Sequence, residues 1–327
     1  MRYQKGLCLR SKHAKRFVCS RAPSSTSLPE FKIRQPLASK NIQTFYLAPF
    51  KVWVTTMSTG RALTSYKVLI FDVYGTLVDW EGGIYSSLSP ILPVSLSREN
   101  ALLTYSRIEK EIQRKYPMML YRDVLAKAHE AFSAQLGEDD GGVAQMTKSE
   151  GLQSRGHEEF ADSIATWPAF PDTISALRAL SKHFKLVVLS NVDHQSFAAT
   201  HSLLAGGSSE ESKSPFTLVL TAQDVGAYKP SLTCLQSALS LLEKSPEFGN
   251  ITADDVLVVA HSLYHDHVPA NKLGLESVWI DRAGAIIGVE EDDRTSAKWG
   301  WRFATLGVMM EAVEKEVGET HAPSKSK

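Results

Sequence analysis

Cysteine is scarce: the chain has three, Cys8 and Cys19 near the start and Cys234 far downstream. A single cysteine in the body can close no disulfide there, which excludes a disulfide-stapled scaffold and points to a reducing compartment, the cytoplasm. Net charge is missing too. Thirty-six Lys and Arg balance 36 Asp and Glu, so no overall field draws the protein to nucleic acid or to a membrane. No apolar run approaches the roughly 20 residues that span a bilayer; "FYLAPF" followed by "VWV" comes nearest and is broken by Pro49 and Lys51. Internal repeats are absent. Acids are almost missing from residues 1–60, where Glu30 stands alone among many Arg and Lys.

That acid-poor, Arg- and Ser-rich leader carries Pro23, Pro29, Pro36 and Pro49. Its composition is that of a mitochondrial transit peptide. A disordered extension without function is the other reading, with translation from Met57 a third. In each case residues 1–60 stand outside the fold, and a protease-resistant body is expected to begin near Met57.

What is present downstream is a regular alternation. "KVLIF" (67–71), "FKLVVLSN" (184–191), "FTLVLTAQD" (216–224), "DVLVVAHS" (255–262) and "ESVWIDR" (276–282) are apolar stretches ending on polar residues. Strands apolar on both faces belong to a parallel sheet covered by helices. Between them "DTISALRALSKH", "SLTCLQSALSLLEK" and "VPANKLGL" have helical spacing. The fold class is α/β, a doubly wound parallel sheet. Ligands in such sheets bind beyond the carboxyl ends of the strands, so Asp72, Ser190 with Asn191, and Asp266 are expected to converge on one crevice.

Residues 83–167 differ in texture. "RENALLTYSRIEKEIQRKYPMMLYRDVLAKAHEAFSAQLG" reads as two or three amphipathic helices, residues 137–156 as a polar Gly-rich loop, and "HEEFADSIATW" as a last helix. This all-helical insertion after the first strand is placed to cap the crevice. The division is then leader 1–60, core 61–82 and 168–315, cap 83–167 and tail 316–327, with "AGGSSEESKSP" (205–215) a surface insertion.

Four ordered motifs carry a family resemblance: "FDVYGTL", "LSN", "GAYKP" and "SLYHDHVPANKLGLESVWIDR". In these the chain from about Lys67 to Val313 resembles the haloacid dehalogenase (HAD) superfamily, specifically its L-2-haloacid dehalogenase branch. The resemblance implies that Asp72 is a nucleophile that displaces halide from a small 2-haloalkanoic acid through an aspartyl ester, giving the 2-hydroxy acid. It makes Lys229 the cation facing Asp72, and Asp266 the residue that positions Lys229 and the hydrolytic water. Tyr74, Thr76, Ser190 and Asn191 then orient Asp72 and the substrate carboxylate. The physical chemistry agrees, since a carboxylate becomes a competent nucleophile when desolvated beside a cation. Each residue also has a plain structural reading: Asp72 and Asp266 as helix or turn caps, Lys229 as a loop residue, Ser190 and Asn191 as turn formers, Tyr74 and Trp80 as packing.

The chain departs from the family pattern at Leu263, Ser231 and Leu235, and no clear cap arginine grips the substrate, Arg107 and Arg114 being the candidates. No cofactor is required. Magnesium enters only with the alternative of a HAD phosphatase, against which Tyr74 stands where a second acid is needed. A third alternative is a HAD-like protein that binds without turnover. The cluster His261, His265, Asp266, His267 has ligand types for zinc but no standard spacing. Expected partners are a small carboxylic acid, with neither nucleic acid nor membrane, and a homodimer stays open.

Overall fold

The computed structural model describes residues 60–139, 150–207, 213–288 and 291–321. The readings of the leader up to residue 59, of residues 208–212 in the surface insertion and of the last tail residues therefore fall outside the described residues. Six parallel strands form one sheet in the order β3-β2-β1-β4-β5-β6. They are β1 (Val68–Phe71), β2 (Lys185–Ser190), β3 (Phe216–Thr221), β4 (Val256–Ala260), β5 (Glu276–Ile280) and β6 (Trp301–Phe303). All five pairings are parallel.

Strand β1 shows why its sequence is continuously apolar. Alternate residues face opposite sides of a sheet, and both sides are covered here. Leu69 and Phe71 join Leu186, Val188, Leu257 and Val259 in one core, while Val68 and Ile70 join Val187, Leu189, Val256 and Val258 in the other. Helix α8 (Leu232–Lys244) seals the second face with Leu235, Ala238 and Leu242. The first face is covered by α5 (Thr173–Leu180) and α11 (Leu306–His321), through Ala176, Leu177, Met309 and Val313. Glu316 of α11 accepts from Thr64 N at 3.0 Å and Thr64 Oγ1 at 3.1 Å. The last helix thus runs past residue 315, where the sequence reading ended the core.

Between β1 and β2 the described chain is helical, with α1 (Trp80–Leu88), α2 (Arg98–Lys115), α3 (Tyr121–Asp139) and α4 (Glu150–Asp162) preceding α5. Ser97 caps α2, its side chain accepting from Asn100 N. The break between α2 and α3 falls at Pro117, which cannot continue a helix. Tyr105 of α2 packs on Phe132 of α3 and Phe160 of α4. Residues 150–156, read as loop from their glycines, are instead the start of α4. An isolated glycine costs a helix only about 1 kcal/mol, and the packing of Phe160 and Ala161 outweighs it.

Three elements on the sheet's return path were not read as such: α6 (His194–Leu204), β6 and α11. The short helices α7 (Ala222–Val225), α9 (Val268–Lys272) and α10 (Glu291–Ser296) complete the described set. No described helix is long and apolar enough to cross a membrane.

Candidate active site

The chain leaves β1 toward β2 and β3 on one side, then crosses to β4 on the other, so the carboxyl end of β1 is a switch point. Asp72 follows β1 directly, and its N–H donates to Val259 O at 3.1 Å. The next residues fold into a tight loop in which Gly75 N–H donates to Val78 O at 2.8 Å and Leu77 N–H to Val73 O at 2.7 Å. Gly75 has φ +92°, and a Cβ there would stand 2.9 Å from Trp80 Nε1. Only glycine meets both demands.

Asp72, Lys229 and Asp266 meet in one cluster. Lys229 Nζ donates to Asp72 Oδ1 at 2.7 Å, to Asp266 Oδ1 at 2.7 Å and to Leu189 O at 3.0 Å. The three residues are 8%, 4% and 5% exposed. Burial alone would push the ammonium toward the neutral form, but the charges of Asp266 and Asp72 outweigh it and hold its pKa above the ordinary lysine value. Asp266 moves the other way. Burial, with the neighbouring charge of Asp72, raises it to about 7 against the pull of Lys229. Its Oδ2 is buried without a hydrogen-bond partner. Asp266 sits in a π-helical turn, Leu263–His267, a local form that recurs at functional sites. Its carboxylate serves Lys229, not the start of α9.

Thr76 is fully buried. Its hydroxyl donates to Asp72 Oδ2 at 2.7 Å and accepts from His261 N at 2.9 Å. The hydroxyl hydrogen is spent on Asp72, so Thr76 orients the carboxylate. Asn191 grips the backbone of Lys229, donating from Nδ2 to the carbonyl at 3.0 Å and accepting from the N–H at 2.6 Å. Ser190 Oγ is buried with no partner. The Tyr74 hydroxyl bonds Thr200 Oγ1 at 3.0 Å, and burial lifts its pKa above the ordinary phenol value, so it keeps its proton at neutral pH.

A cavity of about 90 Å³ opens on this cluster, lined on the core side by Asp72, Tyr74, Ser190, Asn191, Lys229, His261 and Asp266. Leu263 packs instead against Trp279 and Ala297, and Leu235 lies in the core under the sheet. These two of the three departures from the family pattern are thus packing residues outside the cavity lining, while Ser231 lines the neighbouring groove. Arg107 and Arg114 line a broader neighbouring groove that shares Lys110, Lys229 and His265 with the cavity. Arg107 there pairs with Glu111 at 3.4 Å and Gln135 at 3.0 Å.

Three residues at the site were given no part in the chemistry by the sequence reading, His261 having been weighed there only as a metal ligand. Arg282, at the end of "ESVWIDR", donates from Nε and Nη2 to Thr76 O at 3.1 and 2.7 Å and pairs with Asp172 at 2.6 Å. It clamps the loop that presents Asp72. His261 donates from Nδ1 to Ile280 O at 2.9 Å, which leaves Nε2 bare, buried and unpaired at the cavity wall. Glu109 of α2, 7% exposed, lines the cap side of the cavity. The available signal was its register: Ser106 and Glu109 interrupt the otherwise apolar buried face of α2.

Burial raises the Glu109 carboxyl to about 7. The folded state therefore binds this proton more tightly than the unfolded chain, and its contribution to stability is lost as pH rises through about 7. Glu109→Gln removes that cost. It is expected to gain on the order of 3 kcal/mol over wild type above pH 7 and nothing below about pH 4.5. Thermal melts at pH 4 and pH 8 check this; an equal gain at both would refute the assignment.

The donor set has limited use for a metal. Asp72 Oδ1 and Asp266 Oδ1 share one ammonium, and Asp72 Oδ2 takes the Thr76 hydroxyl. Asp266 Oδ2 is the one open oxygen of the pair, whereas magnesium takes near-octahedral oxygen ligands. These residues do not fit it. His267 is satisfied within the core by Ser277 Oγ at 2.7 Å and Ala260 O at 3.1 Å, and burial lowers its pKa to about 4. Among the described residues no group of three or more metal-ligating side chains forms.

The sequence model of haloacid dehalogenase-like hydrolases matches residues 66–266. No curated protein sequence matches the chain. Among solved structures it is similar to the L-2-haloacid dehalogenase of Xanthobacter autotrophicus, at 17% identity over 76% of this chain and 98% of that one, TM-score 0.58. It is also similar to the L-2-haloacid dehalogenase PA0810, at 21% identity over 75% and 98%, TM-score 0.54. A third is the magnesium-bound HAD-hydrolase YfnB of Bacillus subtilis, at 16% identity over 76% and 99%, TM-score 0.54. At these identities the likenesses speak for the fold, and the family match covers more than half the chain: it belongs to the haloacid dehalogenase-like hydrolases.

Proposed function

We propose that the protein hydrolyses the carbon–halogen bond of a small 2-halo carboxylic acid, with Asp72 as the nucleophile. The observation that carries this reading is the single buried ammonium of Lys229 held 2.7 Å from both Asp72 and Asp266 where a cavity of about 90 Å³ opens on them. Asp72 attacks the carbon bearing the halogen; the carbon–oxygen bond forms as the carbon–halogen bond breaks, and halide leaves. Lys229 balances the charge as it moves from carboxylate to halide. Ser190, whose hydroxyl has no protein partner, donates to the substrate carboxylate. Water then attacks the Asp72 carbonyl carbon, giving its proton to the open Oδ2 of Asp266. The adduct collapses, the leaving alkoxide takes the remaining water proton to become the 2-hydroxy acid, Asp72 is restored as a carboxylate and Asp266 returns its proton to solvent.

The phosphatase reading has less support. It needs an acid–base group two residues after the nucleophile, where Tyr74 holds its proton and spends its hydroxyl on Thr200. It also needs carboxylate oxygens that here belong to Lys229. A panel of 2-halo acids and phosphate esters decides the matter, each assayed with EDTA and with added Mg²⁺. Halide release that persists in EDTA is expected. Phosphate release restored only by Mg²⁺ would make the phosphatase reading the right one.

A further inference from the structure

The cap side of the cavity carries one acid beside one base, Glu109 and Lys110, among Ser106, Gln113 and Tyr121. Ser106, Glu109 and Gln113 lie at spacings of three and seven on α2, on one helix face, and all three line the cavity. Glu109 Oε1 accepts from Tyr121 OH at 2.8 Å and from Gln113 Nε2 at 3.3 Å. Those two bonds fix the side chain's direction, and among the described residues nothing donates to Oε2. Ser106, one turn earlier on the same helix, is buried as well. The charge of neighbouring Lys110 acts on Glu109 from the same helix. A buried acceptor kept at a cost to stability, at a cavity wall, is the signature of a binding function and not of packing.

We propose that Ser106, Glu109 and Gln113 form a subsite for a hydrogen-bond donor, a hydroxyl or ammonium group, carried at the end of the substrate remote from the reacting carbon. The proposal rests on the small-acid reading and sharpens it. Ser190 takes the carboxylate end on the core side, while the cap selects a polar end over a methyl group. An unsubstituted 2-haloalkanoate leaves Glu109 Oε2 facing apolar carbon, which a buried acceptor disfavours.

Calorimetric titration of the full chain at pH 8 tests this with two ligand series. The carboxylates are lactate, glycerate and isoserine; the phosphates are ethyl phosphate, 2-hydroxyethyl phosphate and phosphoethanolamine. Glycerate and isoserine are expected to bind on the order of tenfold more tightly than lactate. Glu109→Leu should bring the three affinities together. Glu109→Gln, nearly the same shape, should keep the gain for the hydroxyl and lose most of the gain for the ammonium. Equal affinities for lactate, glycerate and isoserine in the wild type would overturn the subsite while leaving the small-acid reading intact. The same preference among phosphates, with no carboxylate bound, would uphold the subsite and overturn the small-acid reading. Binding of no ligand in either series would overturn both.

Discussion

Asp72→Asn is expected to stop turnover, with kcat falling by at least about a thousandfold, while the fold survives. The amide is a far weaker nucleophile than the carboxylate, so the covalent step has no attacking atom. Charge accounting predicts an intact fold. Lys229 and Asp266 would remain as a one-to-one buried pair, 2.7 Å apart, and the amide oxygen can still accept from Lys229. The local loss is at Thr76, whose hydroxyl hydrogen now bonds Asp72 Oδ2 at 2.7 Å and would meet an NH₂ group. One mismatched neutral hydrogen bond costs about 1–3 kcal/mol. Steady-state halide release and a thermal melt of the same preparation check both halves. Activity within tenfold of wild type would remove Asp72 from the chemistry.

Lys229→Met makes the opposite disturbance and is expected to damage both activity and stability. It leaves two buried carboxylates facing each other without a cation, and like charges so close cannot both stay ionised. Breaking a buried pair by removing one partner typically costs about 3–5 kcal/mol. The loss should depend on pH with a definite sign. Protonation of either carboxylate relieves the repulsion, so the variant is expected to recover stability on acidification and to lose it as pH rises through neutrality. Melting temperatures of both proteins from pH 5 to pH 8 measure this. A deficit that does not change across that range would mean that Lys229 contributes by packing alone. Activity should fall at every pH, because protonation that rescues the fold also removes the nucleophile or the base.

The frame of this site was legible because its residues obey strong local rules. A strand covered on both faces must be apolar throughout, so "VLIF" announces β1 and the acid after it announces the crevice. Lys229 and Asp266 could be placed from their motifs and the α/β pattern. The partners of Thr76 could not, because whether a hydroxyl faces the carboxylate or the cavity depends on a rotamer set by His261 N, 185 positions away in sequence. Arg282 was hidden for the same reason: its bonds to Thr76 O span 206 positions. Glu109 was masked differently. On an amphipathic helix a glutamate reads as solvent-facing, and only the register against Tyr105 and Ile112, both buried, shows that it points inward. The short edge strand β6 has three residues and too little pattern to register.

The central claim is that Asp72 attacks carbon, and single turnover in ¹⁸O-water with enzyme in excess over a 2-halo acid tests it most directly. Water cleaves the ester at the Asp72 carbonyl, so one of the enzyme's own carboxylate oxygens leaves with the product. Mass spectrometry of the digested enzyme should find the label in the peptide that contains Asp72. The hydroxy acid should be largely unlabelled and inverted at the reacting carbon. Label passing straight into the hydroxy acid in that first turnover, with none in the Asp72 peptide, would show that water is the nucleophile and would contradict the account.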